Sequence, residues 1–301
     1  MKWQGVIPAM TTAFDKDLRV DHEAVAERAR WMVANGCTGV VLLGSLGESP
    51  TLTQAEKIEI VKTVRGALAP DVPVVAGISG LGTAECVDLA KSVADAGGDG
   101  LMVLPPYVYR GDWREIKHHV TSVMKATSLS CMLYNNPVSY GTDFTPEQIV
   151  ELAMEQENMA AVKESSTDVR RVTAIQAITD RLAVLVGVDD AILESVAAGA
   201  VGWIAGLVNA LPAESVRLFE LGRAGRWAEA YDLYRWFLPL LRLDTMPKFI
   251  QLVKLVEERA GVGSSRVRAP RLELAGTERE DMIRMIDNAL ANRPAIALGS
   301  N

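Results

Sequence analysis

PVVAGISGLGTAECVDLAKSVADAGGDGLMVLPP, residues 73–106, contains two short apolar runs separated by one helical pattern. The runs PVVAG and GLMVLPP are continuously apolar, as is typical of parallel strands that are buried on both faces. The helical pattern opens at Thr83 and ends at a glycine, and the second strand follows at once. The segment therefore predicts a strand–helix–strand unit with a right-handed crossover.

The same unit recurs along the whole chain. Helical patterns carry capping signals, such as Thr53-Gln-Ala-Glu56 and Pro146 at a first helical position. Eight such units close naturally into a (β/α)8 TIM barrel. A doubly wound open sheet is the alternative, but no GxGxxG follows the first strand and no Walker A lysine loop occurs in the sequence. The apolar runs that predict strands begin near Gly5, Gly39, Pro73, Gly100, Cys131, Met159, Ala183 and Val201.

The length of 301 residues suits one barrel and an additional helical piece. We assign residues 1–222 to the barrel and residues 223–301 to a C-terminal helical extension packed on it. Aromatic residues at helical spacing in the extension are expected to pack or to form an interface. They are Trp227, Tyr231, Tyr234 and Trp236.

The bulk composition narrows the possible functions. A net charge of −7 disfavours non-specific binding to nucleic acid or to an anionic membrane. No stretch approaches the ~18 apolar residues of a transmembrane helix, and the N-terminus does not resemble a signal peptide. Cys37, Cys86 and Cys131 are widely spaced and fit buried, reduced thiols. We therefore expect a cytoplasmic protein with neither a nucleic-acid nor a membrane partner.

Lys163 is the residue that most clearly predicts chemistry. It lies inside the apolar run MAAVKES, and strand alternation can point it into the barrel. Burial disfavours a protonated amine, so such a lysine can supply the neutral nucleophile that attacks a carbonyl. Tyr134 ends the preceding strand, where its phenol could relay protons to an imine. The alternatives are a salt bridge between Lys163 and Glu164, and an ordinary core position for Tyr134.

Six short motifs resemble the dihydrodipicolinate synthase / N-acetylneuraminate lyase superfamily in their order and spacing, over nearly the whole chain. They are GVIPAMTTAF, GSLGES, LMVLPPY, YNNP, VKESS and GVDD. The resemblance implies a homotetramer, arranged as a dimer of dimers, that acts on a small 2-oxo acid or imino acid. It also implies a mechanism without metal or cofactor, in which the covalent imine forms on Lys163. Tyr134 matches the proton-relay tyrosine, Ser45 the hydroxyl that links it to bulk water, and Tyr107 a relay across the dimer interface. Positions predicted to bind the substrate are Gly44, Leu46, Gly47, Gly187, Asp189 and Ile204.

Departures from the family pattern bear on the substrate. Synthases of this family carry an arginine two residues after the YNxP proline, and here that position is Ser139. Leu46 replaces a hydroxyl residue that contacts the keto-acid carboxylate, so backbone amides and Ser45 would bind that group. Asp189 could bind a substrate hydroxyl or ammonium, or it could cap the helix that follows.

Four stretches together resemble the branch of this superfamily that acts in hydroxyproline degradation. They are YNNPVSYGTDFTPE, VKESSTDVRR, GVDD and LDTMPKF. Its members are deaminases that convert 1-pyrroline-4-hydroxy-2-carboxylate to 2-oxoglutarate semialdehyde, which is our first hypothesis for the reaction. The alternatives are a 2-keto-3-deoxy-sugar-acid dehydratase or aldolase, and 4-hydroxy-tetrahydrodipicolinate synthase.

Two further classes are weighed against a Schiff-base enzyme. A metal-dependent hydrolase or class II aldolase needs clustered ligands, and none of the three histidines lies at a strand end. A non-catalytic regulator built on the same barrel would not need both Lys163 and Tyr134. The sequence therefore favours a lysine Schiff-base lyase.

Overall fold

Eight parallel strands form the centre of the molecule in a computed structural model that describes residues 1–295. Every strand is short, and nearly all of its side chains are buried, because helices cover the outside of the ring and packed side chains fill the inside. The strands are β1 (Gly5–Pro8), β2 (Val40–Leu42), β3 (Val74–Ile78), β4 (Gly100–Val103), β5 (Ser130–Asn135), β6 (Met159–Glu164), β7 (Ala183–Val186) and β8 (Gly202–Ala205).

Hydrogen bonds pair the strands in the order β1-β8-β7-β6-β5-β4-β3-β2. The ring closes between β1 and β2 through a parallel bridge of Ala9 with Val41, where the Met10 amide donates to the Val41 carbonyl at 2.8 Å. The predicted TIM barrel is confirmed. Predicted strand starts at Gly39 and Pro73 lie next to the observed starts, because buried parallel strands are marked directly by apolar runs.

Helices follow the strands, and several begin at capping residues. The Asp21 side chain accepts a hydrogen bond from the Ala24 amide at 3.0 Å, and Thr53 forms the predicted capping box with Glu56. Four short 3-10 helices accompany them, at Ser49–Thr51, Asp189–Ala191, Leu207–Asn209 and Arg242–Thr245. The helices are α1 (His22–Ala34), α2 (Gln54–Ala67), α3 (Thr83–Asp95), α4 (Trp113–Met124), α5 (Pro137–Tyr140), α6 (Pro146–Glu155), α7 (Arg170–Ile178), α8 (Ile192–Ala197), α9 (Pro212–Arg223), α10 (Trp227–Leu241), α11 (Phe249–Arg259) and α12 (Gly276–Ala291).

The C-terminal extension consists of α10, α11 and α12, so a terminal helix is present, and residues 296–301 lie outside the described part of the chain. Trp236 donates to the Ala289 carbonyl at 2.8 Å and Tyr234 is buried, as expected for packing aromatics, whereas Tyr231 is exposed. The domain boundary at residue 222 stays a prediction. The turn between α10 and α11 also reaches the carboxyl ends of the barrel strands, a contribution that the sequence did not indicate.

A buried ion pair joins the extension to the barrel. Lys254 on α11 donates to Glu48 at 2.6 Å and to the Arg266 carbonyl at 2.7 Å, and both charged side chains are almost fully buried. The second oxygen of Glu48 accepts from the Arg268 amide at 3.0 Å. Because Glu48 follows the turn after β2, this ion pair connects α11 with the rim of the barrel.

Three observations bear on the other expectations of the sequence. Cys37, Cys86 and Cys131 are free and buried, as predicted. In residues 1–295 no helix is long and apolar enough to span a bilayer. In the same range no group of three or more His, Cys, Asp or Glu side chains is placed to hold a metal ion.

Candidate active site

A cavity of about 370 Å³ opens at the carboxyl ends of the strands, which is where (β/α)8 barrels place their active sites. Its wall includes the turn after β2, the end of β5, Lys163 on β6 and the turn after β7. The turn between α10 and α11 completes it. Seven of the residues predicted for the site line this cavity: Gly44, Ser45, Leu46, Tyr134, Lys163, Gly187 and Ile204.

Lys163 points into the cavity and is only 6% exposed. In the strand register it lies beside Tyr134, and its Nζ is 4.0 Å from the centre of the Tyr134 ring. Glu164 faces the other way and accepts from Asn135 Nδ2 at 3.0 Å and from the Ser166 amide at 2.6 Å. Within residues 1–295 Lys163 forms no ion pair, so the alternative of a Lys163–Glu164 salt bridge is wrong.

Ser45 contacts a different tyrosine from the one expected. Its hydroxyl forms a short hydrogen bond with the hydroxyl of Tyr140, whereas the Tyr134 hydroxyl accepts from Asn136 Nδ2 at 2.9 Å. Tyr140 meets the Tyr134 ring edge to face, with centroids 5.6 Å apart. A direct Ser45–Tyr134 hydrogen bond, implied by the family pattern, is absent from the described residues. Tyr140 was not predicted as a site residue, although it belongs to the quoted motif YNNPVSY.

Tyr107 lies behind the cavity wall. Its ring stacks on Tyr140, with centroids 5.5 Å apart and an angle of 26° between the planes. Burial raises the pKa of Tyr107, and hydrogen bonds from Ser79 and Tyr140 oppose that rise. Burial also raises the pKa of Tyr140 well above its ordinary value. The hydroxyl groups of Ser45 and Tyr140 therefore form a hydrogen-bonded pair within one chain, and the Tyr107 ring packs against that pair.

Gly187 lies in close contact with the side chain of Lys163. A Cβ atom at this position would lie 2.2 Å from Lys163 Cε and 2.2 Å from Ser165 Oγ. These separations are far below van der Waals contact, so any side chain must displace Lys163 or Ser165. The glycine leaves the space in which the lysine chain lies against the turn after β7.

We expect Gly187→Ala to lower turnover by about 100-fold while the protein stays folded, because a displacement of about 1 Å at a reacting group has that effect. Steady-state rates and thermal unfolding would measure both quantities. Gly66→Ala is the matched control, since nothing lies within 4 Å of a Cβ atom there. In helix α2 it should raise the free energy of unfolding by about 0.5–1 kcal/mol without changing turnover. Equal rates for both variants would contradict the proposed contact.

Asp189 has a structural role in place of the predicted substrate contact. Its carboxylate accepts from Trp203 Nε1 at 2.9 Å, from the Gly206 amide at 3.0 Å and from the Leu207 amide at 2.8 Å. Burial raises the pKa of Asp189 to about 6 against the effect of these hydrogen bonds. It does not line the cavity and does not cap α8, the helix that follows; its carboxylate instead binds the first amides of the 3-10 helix Leu207–Asn209. Asp189 therefore holds the turn after β8 in place.

Gly47 also lies outside the cavity wall. Its carbonyl accepts from Thr12 Oγ1 at 2.7 Å, and a Cβ atom there would lie 3.1 Å from the Met10 carbonyl. The residue therefore shapes the turn after β2 from behind. Gly44, Ser45 and Leu46 are the part of that turn that faces the cavity and can offer backbone amides to a carboxylate.

The structure adds two polar groups that the sequence did not single out. Ser165, directly after β6, is buried and lines the cavity, and its hydroxyl has no hydrogen-bond partner among residues 1–295. Asp244 lies in the 3-10 helix after α10 and also lines the cavity. Ser165 could have been found from the alternation of VKESS. Asp244 belongs to the quoted motif LDTMPKF, but that motif does not place it in the cavity, since its position depends on how the extension packs.

Comparisons with known proteins identify the family of the chain. Residues 2–289 match the dihydrodipicolinate synthetase family. The chain is 35% identical over 283 residues to the 4-hydroxy-tetrahydrodipicolinate synthase of Natronomonas pharaonis, which covers 92% of this chain and 95% of that protein.

Two solved structures share the fold over nearly their whole length. Dihydrodipicolinate synthase DapA-2 from Bacillus anthracis superposes with a TM-score of 0.92 at 27% identity, over 98% of this chain and 100% of that one. YagE, a prophage protein of the dihydrodipicolinic acid synthase family from E. coli K12 that was crystallised with pyruvate, gives 0.90 at 25% identity, over 96% and 99%.

Proposed function

The chain belongs to the dihydrodipicolinate synthetase family, whose members are lysine Schiff-base lyases, and from this premise we propose that Lys163 forms an imine with a small 2-oxo acid such as pyruvate. One observation carries the proposal. The Lys163 amine is buried in the cavity without an ion pair in residues 1–295, beside the ring of Tyr134. A lysine so placed is available as a nucleophile.

The proposed chemistry begins when the Lys163 amine gives up a proton and attacks C2 of the 2-oxo acid. The C–N bond forms, the carbonyl oxygen takes a proton, and loss of water from the carbinolamine gives the protonated imine. The imine withdraws electrons from C3, so a proton can leave C3 and an enamine forms. The Tyr134 ring contacts the lysine amine, and its hydroxyl would move these protons. Ser45 and Tyr140 would connect the cavity with water.

Two reactions of this enamine are candidates. The similarity to 4-hydroxy-tetrahydrodipicolinate synthases supports condensation of the pyruvate enamine with aspartate semialdehyde, in which a C–C bond forms at C3. We take this as the first candidate, in place of the deamination that the sequence motifs suggested.

Deamination of 1-pyrroline-4-hydroxy-2-carboxylate is the second candidate, and the cavity wall is the observation that favours it. Ser139 lines the rim where the family pattern implies an arginine, and Lys163 is the one cationic side chain among the described residues of the wall. A second substrate carboxylate, as in aspartate semialdehyde, therefore finds no cation there. A substrate with a single carboxylate fits this wall better.

Borohydride trapping tests the Schiff base itself. Incubation with pyruvate and sodium borohydride should add the mass of one reduced pyruvyl group to the peptide that contains Lys163. Absence of the adduct at saturating pyruvate would overturn the proposal. Turnover of pyruvate with aspartate semialdehyde, compared with release of 2-oxoglutarate semialdehyde from 1-pyrroline-4-hydroxy-2-carboxylate, then decides between the two reactions. The homotetramer and the cytoplasmic location stay predictions.

A further inference from the structure

Asp244 brings a carboxyl group from the C-terminal extension into the catalytic cavity. It lies in the 3-10 helix Arg242–Thr245, between α10 and α11, and lines the same cavity as Lys163. In the described range 1–295 its side chain has no hydrogen-bond partner and forms no ion pair. The neighbouring Asp189, by contrast, uses its carboxylate to bind Trp203, Gly206 and Leu207.

Both acids lie against Gly206, on the side where a side chain would project. A Cβ atom at Gly206 would lie 2.7 Å from Asp244 Oδ1 and 3.2 Å from Asp189 Oδ2. Asp244 is therefore set against the turn after β8, on a wall that also includes Ile204. Its position is fixed by packing of the extension, and its oxygens stay free to contact what enters the cavity.

The surroundings of Asp244 favour the protonated form of its carboxyl group. Burial and the neighbouring Asp189 raise the pKa of Asp244 well above its ordinary value, and the charge of Lys163 opposes the rise. Asp190 adds to it. A protonated carboxyl group can donate one hydrogen bond and accept others, so it suits a hydroxyl or an amino group, which can do both.

We propose that Asp244 is a substrate-binding residue that hydrogen-bonds a hydroxyl or amino group on the carbons beyond C3 of a 2-oxo acid held on Lys163. The inference rests on the proposed function, because it needs a substrate anchored at the lysine. The group that Asp244 contacts would belong to the substrate itself in the deaminase candidate, or would be added to the pyruvyl imine by condensation with aspartate semialdehyde. The inference also gives Asp244 the contact that the sequence had suggested for Asp189.

A matched pair of ligands tests the contact. 2-Oxobutanoate and 4-hydroxy-2-oxobutanoate differ by one hydroxyl group, and borohydride trapping gives the half-saturating concentration of each. In the wild type we expect the hydroxylated acid to be trapped at about tenfold lower concentration, the effect of one well-placed hydrogen bond. Asp244→Leu should reduce that ratio to about twofold or less. Asp244→Asn should keep most of it, because an amide still donates and accepts.

The outcomes separate this inference from the proposed function. If the wild type forms no adduct with either acid, the Schiff-base proposal fails. If adducts form but Asp244→Leu keeps the tenfold ratio, the contact is wrong. If Asp244→Leu and Asp244→Asn lose the preference for the hydroxylated ligand equally, the Asp244 carboxylate acts through its charge. That result would also overturn the proposed hydrogen bond. Asp244→Ala replaces the leucine variant if thermal unfolding shows that the latter is misfolded.

Discussion

Replacing Lys163 with methionine is expected to abolish the borohydride adduct and to lower turnover by about 10³-fold or more. Methionine fills nearly the same volume on β6 but has no amine, so the covalent route is lost while packing beside Tyr134 is kept. Mass spectrometry of the trapped protein and single-turnover rates would measure the two effects. Lys163→Arg should fail in the same way, since a guanidinium stays charged and cannot form the imine.

Lys57→Met is the matched control for this experiment. Lys57 on α2 is also a buried lysine, and burial lowers its pKa, but it does not line the cavity. Its substitution should leave the pyruvate adduct and the turnover rate as in the wild type. If Lys163→Met kept a tenth of wild-type turnover, or if Lys57→Met removed the adduct, Lys163 would not be the nucleophile.

The largest effect on stability is expected at Lys254. Lys254→Met should lower the free energy of unfolding by about 3–5 kcal/mol, because it removes the closest partner of the buried Glu48. Arg271, whose guanidinium is 3.9 Å from Glu48, compensates in part and favours the lower end of that range. Urea unfolding followed by circular dichroism would give the difference.

Two further variants separate pairing from packing at this position. Lys62→Met removes the partner of Glu59 on the exposed face of α2 and should cost about 0.5 kcal/mol or less. The double substitution Lys254→Met with Glu48→Gln should recover much of the loss, because no unpaired buried charge is left. A double variant as unstable as Lys254→Met alone would show that the loss arises from packing against Phe14, whose ring lies 4.4 Å from Lys254 Nζ.

The barrel and the identity of the lysine could be predicted from sequence for simple physical reasons. A parallel strand that is buried on both faces must be apolar along its whole length, so each strand is visible as a run. Consecutive strands of such a barrel pair in parallel, so residues at the ends of β5 and β6 must be neighbours. This is why Tyr134 and Lys163 could be placed side by side, as the register confirms.

Contacts between distant segments could not be predicted in this way. The sequence placed Asp189 after β7, but the hydrogen bonds that occupy its carboxylate come from β8 and the turn beyond it. The hydroxyl partner of Ser45 is Tyr140, on the short helix α5, and this choice depends on the turn that follows Asn136. Asp244 reaches the cavity only because α10 and α11 pack as they do.

The turn that carries Asp244 and the ion pair of Lys254 have a common consequence. The first completes the wall of the cavity, and the second holds Glu48 beside the turn that presents Ser45. The eight-stranded ring therefore does not form the cavity without the extension. A protein truncated after α9 would lack both the cavity wall formed by residues 244–249 and the Lys254–Glu48 ion pair. A recombined protein with this cavity therefore needs the extension together with the barrel.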